Sequence, residues 1–231
     1  MKISGLQKLT LLDFPEKVAC TVFTGGCNMR CPFCQNASLV LSDSFPTYMT
    51  EDEFFTFLKK RQGVLDGVCL TGGEPLLQKD VLPFIQKIKA MGYAVKLDTN
   101  GYLPDKLEEA IQSGAVDYVA MDVKNAKSAY AKTVGLPNLD IQRIEKSVDI
   151  LLRGTVDYEF RTTVVKEFHE EQQMREIAAW LQGAKRYFLQ CFSDAGDILK
   201  PGLSAHSKET LEAFRQILLP AIPNTQLRGM E

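Results

Sequence analysis

The chain has 231 residues, of which 45% are hydrophobic and 24% charged, with a net charge of −2 at neutral pH. That balance suits a globular protein with a core of its own and argues against a disordered chain. It also argues against nucleic acid as a partner: the one tight basic run, Lys59, Lys60 and Arg61, falls at the end of an expected helix, where cations complement the helix dipole.

The opening residues 1–12 are partly apolar but are broken at once by Asp13, Pro15, Glu16 and Lys17. This is too short and too interrupted for a signal peptide, and no apolar run elsewhere is long enough to span a bilayer. With nothing to mark secretion, the expected compartment is the reducing cytoplasm, where disulfides are not expected. No linker rich in Pro, Gly or Ser divides the chain, so residues 1–231 are read as a single domain.

In chain order, a β-rich run near 18–24 precedes a helical stretch near 51–61, then a strand near 67–71 and a helix near 79–91. Strands near 94–98, 117–123, 156–164 and 186–192 then alternate with helices near 104–114, 141–152, 170–182 and 207–219. Thr50 ahead of Glu51, Asp52 and Glu53 reads as an N-cap with an acidic first turn, and Ser207 ahead of Lys208, Glu209 and Thr210 as another. Six strands each followed by a helix imply a parallel sheet. A closed eight-stranded barrel typically takes about 250 residues, so this length predicts an α/β fold with an open partial (β/α)6 barrel of parallel strands. Residues beyond 192, about 193–231, read as a C-terminal extension.

Residues 27–34 spell CxxxCxxC: Cys27, Asn28, Met29, Arg30, Cys31, Pro32, Phe33, Cys34. They lie in a loop, 25–36, that opens on the turn pair Gly25 and Gly26. Thiolates at this density suit a soft metal centre, iron–sulfur or zinc, yet a closed structural site would normally have four protein ligands. Cys20, Cys69 and Cys191 fall in apolar, strand-like runs and read as small core residues. His169 and His206 are solitary, which counts against zinc. Three ligands leave one corner open.

Unusual polar residues also close the other strands. Gly72 and Gly73, with Glu74 and Pro75, follow the second; the glycines would let backbone approach a ligand and Glu74 offers a carboxylate, although a glycine pair there is also an ordinary turn. Asp98 and Asn100 close the third and are equally readable as turn formers around Gly101. Asp122 and Lys124, two apart at the end of the fourth, share a face. Arg161 lies in the fifth with Thr162 and Thr163, and Gln190 lies late in the sixth. Contributions from every strand favour a barrel encircling its ligand over a doubly wound sheet, which concentrates contacts at its switch point.

Together these motifs resemble the radical S-adenosylmethionine superfamily, whose signature is CxxxCxxC with an aromatic residue, here Phe33, before the last cysteine. Within it the chain is most similar to activating enzymes of glycyl radical proteins such as anaerobic ribonucleotide reductase. Thr10 to Pro15, Phe23 to Cys34, GGEP and DTNG carry that resemblance. Two positions depart from it: Gln35 stands where His is common, and Glu16 where Gly is frequent. Gln35 still hydrogen-bonds but cannot titrate.

The resemblance implies that Cys27, Cys31 and Cys34 hold three irons of a [4Fe-4S] cluster, with the fourth chelated by S-adenosylmethionine. It implies that Gly72, Gly73 and Glu74 meet the methionine amino end and that Phe33 packs near the adenine. Gln35, Asn36, Asp98, Asn100, Asp122, Lys124 and Arg161 would line the rest. Reductive cleavage would give a 5′-deoxyadenosyl radical that takes hydrogen from a backbone glycine of a partner enzyme, the electron coming from a flavodoxin- or ferredoxin-type donor. The alternative is an enzyme acting on a small molecule, similar to 7-carboxy-7-deazaguanine synthase; those usually carry Asp and Thr where Gln35 and Asn36 stand.

Overall fold

The computed structural model describes residues 1–41, 48–194 and 197–230. Six consecutive parallel strands form where the sequence predicts them: β2 (Ala19–Thr24), β3 (Gly67–Gly72), β4 (Ala94–Thr99), β5 (Tyr118–Asp122), β6 (Asp157–Val164) and β7 (Tyr187–Cys191). Two further strands escape the sequence reading. β1 (Gly5–Thr10) pairs antiparallel with β2, and β8 (Thr225–Arg228) pairs parallel with β7. Both are edge strands: β1 presents Gln7 and Lys8, and β8 has only four residues, so neither shows the apolar pattern of a central strand. The C-terminal extension therefore supplies a strand of the main sheet.

The eight strands follow chain order in one sheet whose edges are β1 and β8, an open parallel α/β barrel. The longer helices are α2 (Glu51–Lys59), α3 (Val81–Ala90), α4 (Pro104–Gln112), α6 (Ile141–Leu152), α7 (Glu171–Trp180) and α8 (Lys208–Leu218); α1 (Ala37–Leu41) and α5 (Tyr130–Thr133) are short. Thr50 and Glu53 close a reciprocal capping box at α2, and the Ser207 hydroxyl accepts from Thr210 N at α8, as their sequence signals require.

Strand pleating sorts side chains to two faces. Cys20, Val22, Val68, Leu70, Val95, Leu97 and Val119 join a core with Phe54, Leu58, Phe84, Ile88, Ile144 and Val148 from the helices. The alternate positions, including Thr21, Cys69, Lys96 and Tyr118, lie in mutual register across the sheet and make the barrel interior polar. Its lower end is filled by protein. Thr21 Oγ1 donates to Asp13 Oδ2 (2.5 Å), and the Phe14 ring lies 6.2 Å from that of Tyr118. Phe14 sits so close to Gly67 that a Cβ there would come within 2.9 Å of the ring. Tyr118 Oη donates to Glu159 Oε2 (2.9 Å), and Arg228 from β8 donates through both terminal nitrogens to the same carboxylate (2.8 and 3.0 Å).

Candidate active site

The CxxxCxxC loop leaves the top of β2 and is tied down on several sides. Glu74 N donates to Gly26 O (2.8 Å), Arg30 N to Val134 O (2.9 Å) and Lys200 N to Pro32 O (2.9 Å). Gln35 Nε2 donates to Ser193 O (2.7 Å), so Gln35 tethers the loop to the segment after β7. The glycine pairs explain themselves as packing: a Cβ on Gly73 would lie 2.0 Å from Gly26 O, and Gly72, at φ 114°, would place one 2.3 Å from Thr24 N. Two strand-end loops cross backbone to backbone there, and only glycine permits it.

A cavity of about 220 Å³ opens where these loops meet the barrel. Cys27, Cys31, Cys34, Phe33, Gln35, Asn36, Gly72, Gly73, Asp98, Asn100, Asp122, Lys124 and Arg161 all line it. Glu74 does not. Its side chain is buried, and its carboxylate accepts from Leu76 N (3.1 Å), Thr99 Oγ1 (2.9 Å) and Asn100 N (2.7 Å). Here Glu74, expected at the methionine amino end, braces the protein: it caps the short turn after β3 and fixes Asn100, whose Nδ2 reaches Asn28 Oδ1 (2.8 Å) and Cys27 Sγ (3.7 Å). Burial pushes the Glu74 carboxyl up to about 7, against the hydrogen bonds that favour its charged form.

Met29, Val40, Thr71 and Thr99 line the cavity without having been marked by sequence, as their types are ordinary for loops and strands. Thr163 and Gln190 line it too, and their place late in β6 and β7 was their signal. His169, solitary in sequence, is no ligand: Val165 N donates to its Nδ1 (3.0 Å), leaving Nε2 to donate to Lys124 O (2.9 Å). It supports the backbone of Lys124 from outside the cavity.

Five charged groups alternate across the barrel. Lys96 pairs with Asp98 Oδ1, and Arg161 Nη1 donates to Asp98 Oδ2 (3.2 Å). Arg161 Nε donates to Asp122 Oδ1 (2.9 Å), and Lys124 Nζ to Asp122 Oδ2 (2.9 Å). Burial alone would raise both carboxyls, but the flanking cations outweigh it and hold Asp98 and Asp122 below the usual carboxylate range.

The donor set fits an iron–sulfur cluster. All three thiols are free of disulfides and face one cavity. Burial pushes Cys27 up and Cys31 to about 12, so thiolate forms there only against a positive centre. Asn28 Nδ2, beside Cys27, is buried with no partner among the described residues, a donor left over for a bound group. Among the described residues no three His, Cys, Asp or Glu side chains are arranged to hold one ion.

The family model of the radical SAM superfamily matches residues 21–181. A Methanocaldococcus jannaschii protein provisionally named a glycyl-radical enzyme activating enzyme is 33% identical over 98% of this chain and 95% of its own length. A 7-carboxy-7-deazaguanine synthase from Thermoplasma acidophilum is 28% identical over 71% of this chain and 75% of its own. Among solved structures, Streptococcus suis SuiB bound to the precursor peptide SuiA superposes with a TM-score of 0.73 at 14% identity, over 90% of this chain and 48% of that one. A domain of a pyruvate-formate lyase-activating enzyme from Bacteroides vulgatus gives 0.58 at 17% identity, over 71% and 99%. With the match spanning most of the chain and three free thiols facing one cavity, this chain belongs to the radical SAM superfamily, enzymes whose cofactors are a [4Fe-4S] cluster and S-adenosylmethionine.

Proposed function

We propose that this enzyme generates a glycyl radical on a partner protein, and that the partner is an anaerobic ribonucleotide reductase. The observation that carries this reading is the near full-length similarity to a provisionally named glycyl-radical activating enzyme, against 71% of the chain for the deazaguanine synthase. The sequence match at Thr10 to Pro15 and at Asn36 supports it. A cytoplasmic setting and a flavodoxin- or ferredoxin-type donor follow from the same reading; no helix among the described residues is long and apolar enough to cross a membrane. We take the chain as one domain, since strands from both ends share one sheet.

In this reading Cys27, Cys31 and Cys34 would hold the cluster, which when bound and reduced would supply the electron for cleavage of S-adenosylmethionine. Gly72, Gly73 and Asn36 sit beside the thiols and offer backbone and amide groups to the methionine end. Asp98, Asp122, Lys124 and Arg161 supply fixed charge to the cavity wall, while Phe33, Met29 and Val40 give the cavity apolar lining that excludes water. The barrel edges β1 and β8 do not pair with each other, which leaves a side through which a glycine-bearing loop can approach.

The test mixes reduced, anaerobically reconstituted protein and S-adenosylmethionine with an anaerobic ribonucleotide reductase from the same source. The expected result is a glycyl proton doublet in the electron paramagnetic resonance spectrum. Turnover of a small metabolite with no doublet in any glycyl radical protein would overturn the activase reading.

A further inference from the structure

We propose that Lys96, which lies beneath the cavity and lines none of it, is a positioning residue that sets how Arg161 is presented to S-adenosylmethionine. Lys96 is 1% exposed, and its ammonium pairs with Asp98 Oδ1 with Cys69 Sγ 3.8 Å away. A buried ammonium without a partner is costly, so Lys96 is committed to that one oxygen. The commitment restricts its neighbour. With Oδ1 accepting from Lys96 and from Cys69 Sγ (3.7 Å), Arg161 meets Asp98 at Oδ2, binding it through Nη1 alone while Nε turns to Asp122.

Arginine and carboxylate prefer a two-pronged pairing when both oxygens are free. An apolar residue at 96 would leave Oδ1 with only the weak Cys69 thiol donor, and the guanidinium would close on Asp98 with two bonds, inward and away from Asp122. Lys96 thus keeps Arg161 shared between two carboxylates at the cavity wall, with donors left over for a ligand.

This inference rests on the cofactor-binding role given to the cavity above, and the test separates the two. S-adenosylmethionine affinity is measured by equilibrium dialysis on reconstituted protein carrying Lys96→Met, Arg161→Gln or both. Lys96→Met, which has no N–H to give Asp98, should weaken binding about ten-fold, as expected for disturbing a charge-assisted contact, and the double variant should bind no worse than Arg161→Gln alone. Parent-like binding by Lys96→Met, or losses that add in full, would overturn the positioning role. Should Lys96→Met not fold, Lys96→Arg decides: its guanidinium takes both oxygens of Asp98 and displaces Arg161, so it should bind about ten-fold more weakly, and a folded Lys96→Arg with parent-like binding overturns the proposal. A parent protein that binds no S-adenosylmethionine would overturn the cofactor reading itself.

Discussion

The cavity and the barrel interior beneath it are built from similar residues, buried and polar, on the same strands. Beneath, each group is answered by protein: Asp13 by Thr21, Glu159 by Tyr118 and by both arms of Arg228. Above, the same alternation of strand positions delivers Asp98, Asp122, Arg161, Thr163 and Gln190 to a cavity that the loop thiols Cys27, Cys31 and Cys34 also line. Burying polar groups is tolerable only when they are satisfied. A region that satisfies its own is therefore structural, and one that leaves thiols and a buried amide N–H over is made for a ligand. The charged ladder joins the two, with Lys96 rooted below and Lys124 at the rim.

The largest effect expected from this contrast is at the cluster loop. Cys31→Ala should reduce the iron of reconstituted protein from about four atoms per chain to near none, by iron and sulfide analysis. Cys20→Ala and Cys69→Ala should leave it unchanged, because Cys20 is buried on the helix side of the sheet and Cys69 in the interior beneath Asp98, and neither lines the cavity. Loss of iron in either would erase the distinction between the two regions.

Next comes the interior. Arg228→Met leaves the Glu159 carboxylate, 1% exposed, without its cation. A stability loss of about 3 kcal/mol is expected in urea unfolding, the low end for a broken buried pair because Arg228 itself is partly exposed. Cofactor-site iron should be retained in the folded variant. A loss below about 0.5 kcal/mol would show that β8 is only an appendage to the sheet.

Glu74 sharpens the boundary between the regions through pH. Burial raises its carboxyl from 4.5 to about 7 in the folded protein. A raised folded value favours the protonated form, so its contribution is fully present below about pH 4.5 and is lost as pH rises through 7. Relative to Glu74→Gln, the parent should lose stability across that window, by at most about 3 kcal/mol, in unfolding measured as a function of pH. Parallel pH profiles for the two proteins would place Glu74 in contact with water and return it to the cavity.

The smallest effect concerns Glu16, which adopts φ 61°, a left-handed conformation that side chains other than Gly and Asn resist. The glycine that the resemblance leads one to expect here thus has a backbone reason. Glu16→Gly should raise stability by roughly 0.5–1 kcal/mol, the strain relieved less the entropy that glycine adds to the unfolded chain. A loss of stability would show that the Glu16 side chain contributes more than its backbone costs.

Much of the molecule was legible in sequence. The six central strands and their helices announce themselves by apolar runs, caps and spacing, and the thiols by density, because these signals are local. The helix starts at Thr50 and Ser207 needed nothing beyond the next three residues. What is not local was not legible. β1 and β8 form because the growing sheet offers them an edge, and their own residues encode little. Glu74 looks like a ligand in its motif, yet the crossing of the Gly26 and Gly73 loops turns its carboxylate into the protein. Lys96 reads as an ordinary strand lysine until β3 and β6 bring Cys69 and Arg161 to either side of Asp98. By itself the sequence determined the barrel's repeat and the clustered thiols, since both depend on neighbours along the chain. Only the tertiary structure decided which polar groups meet protein and which meet open space, because that depends on what strands far apart in sequence place across the barrel.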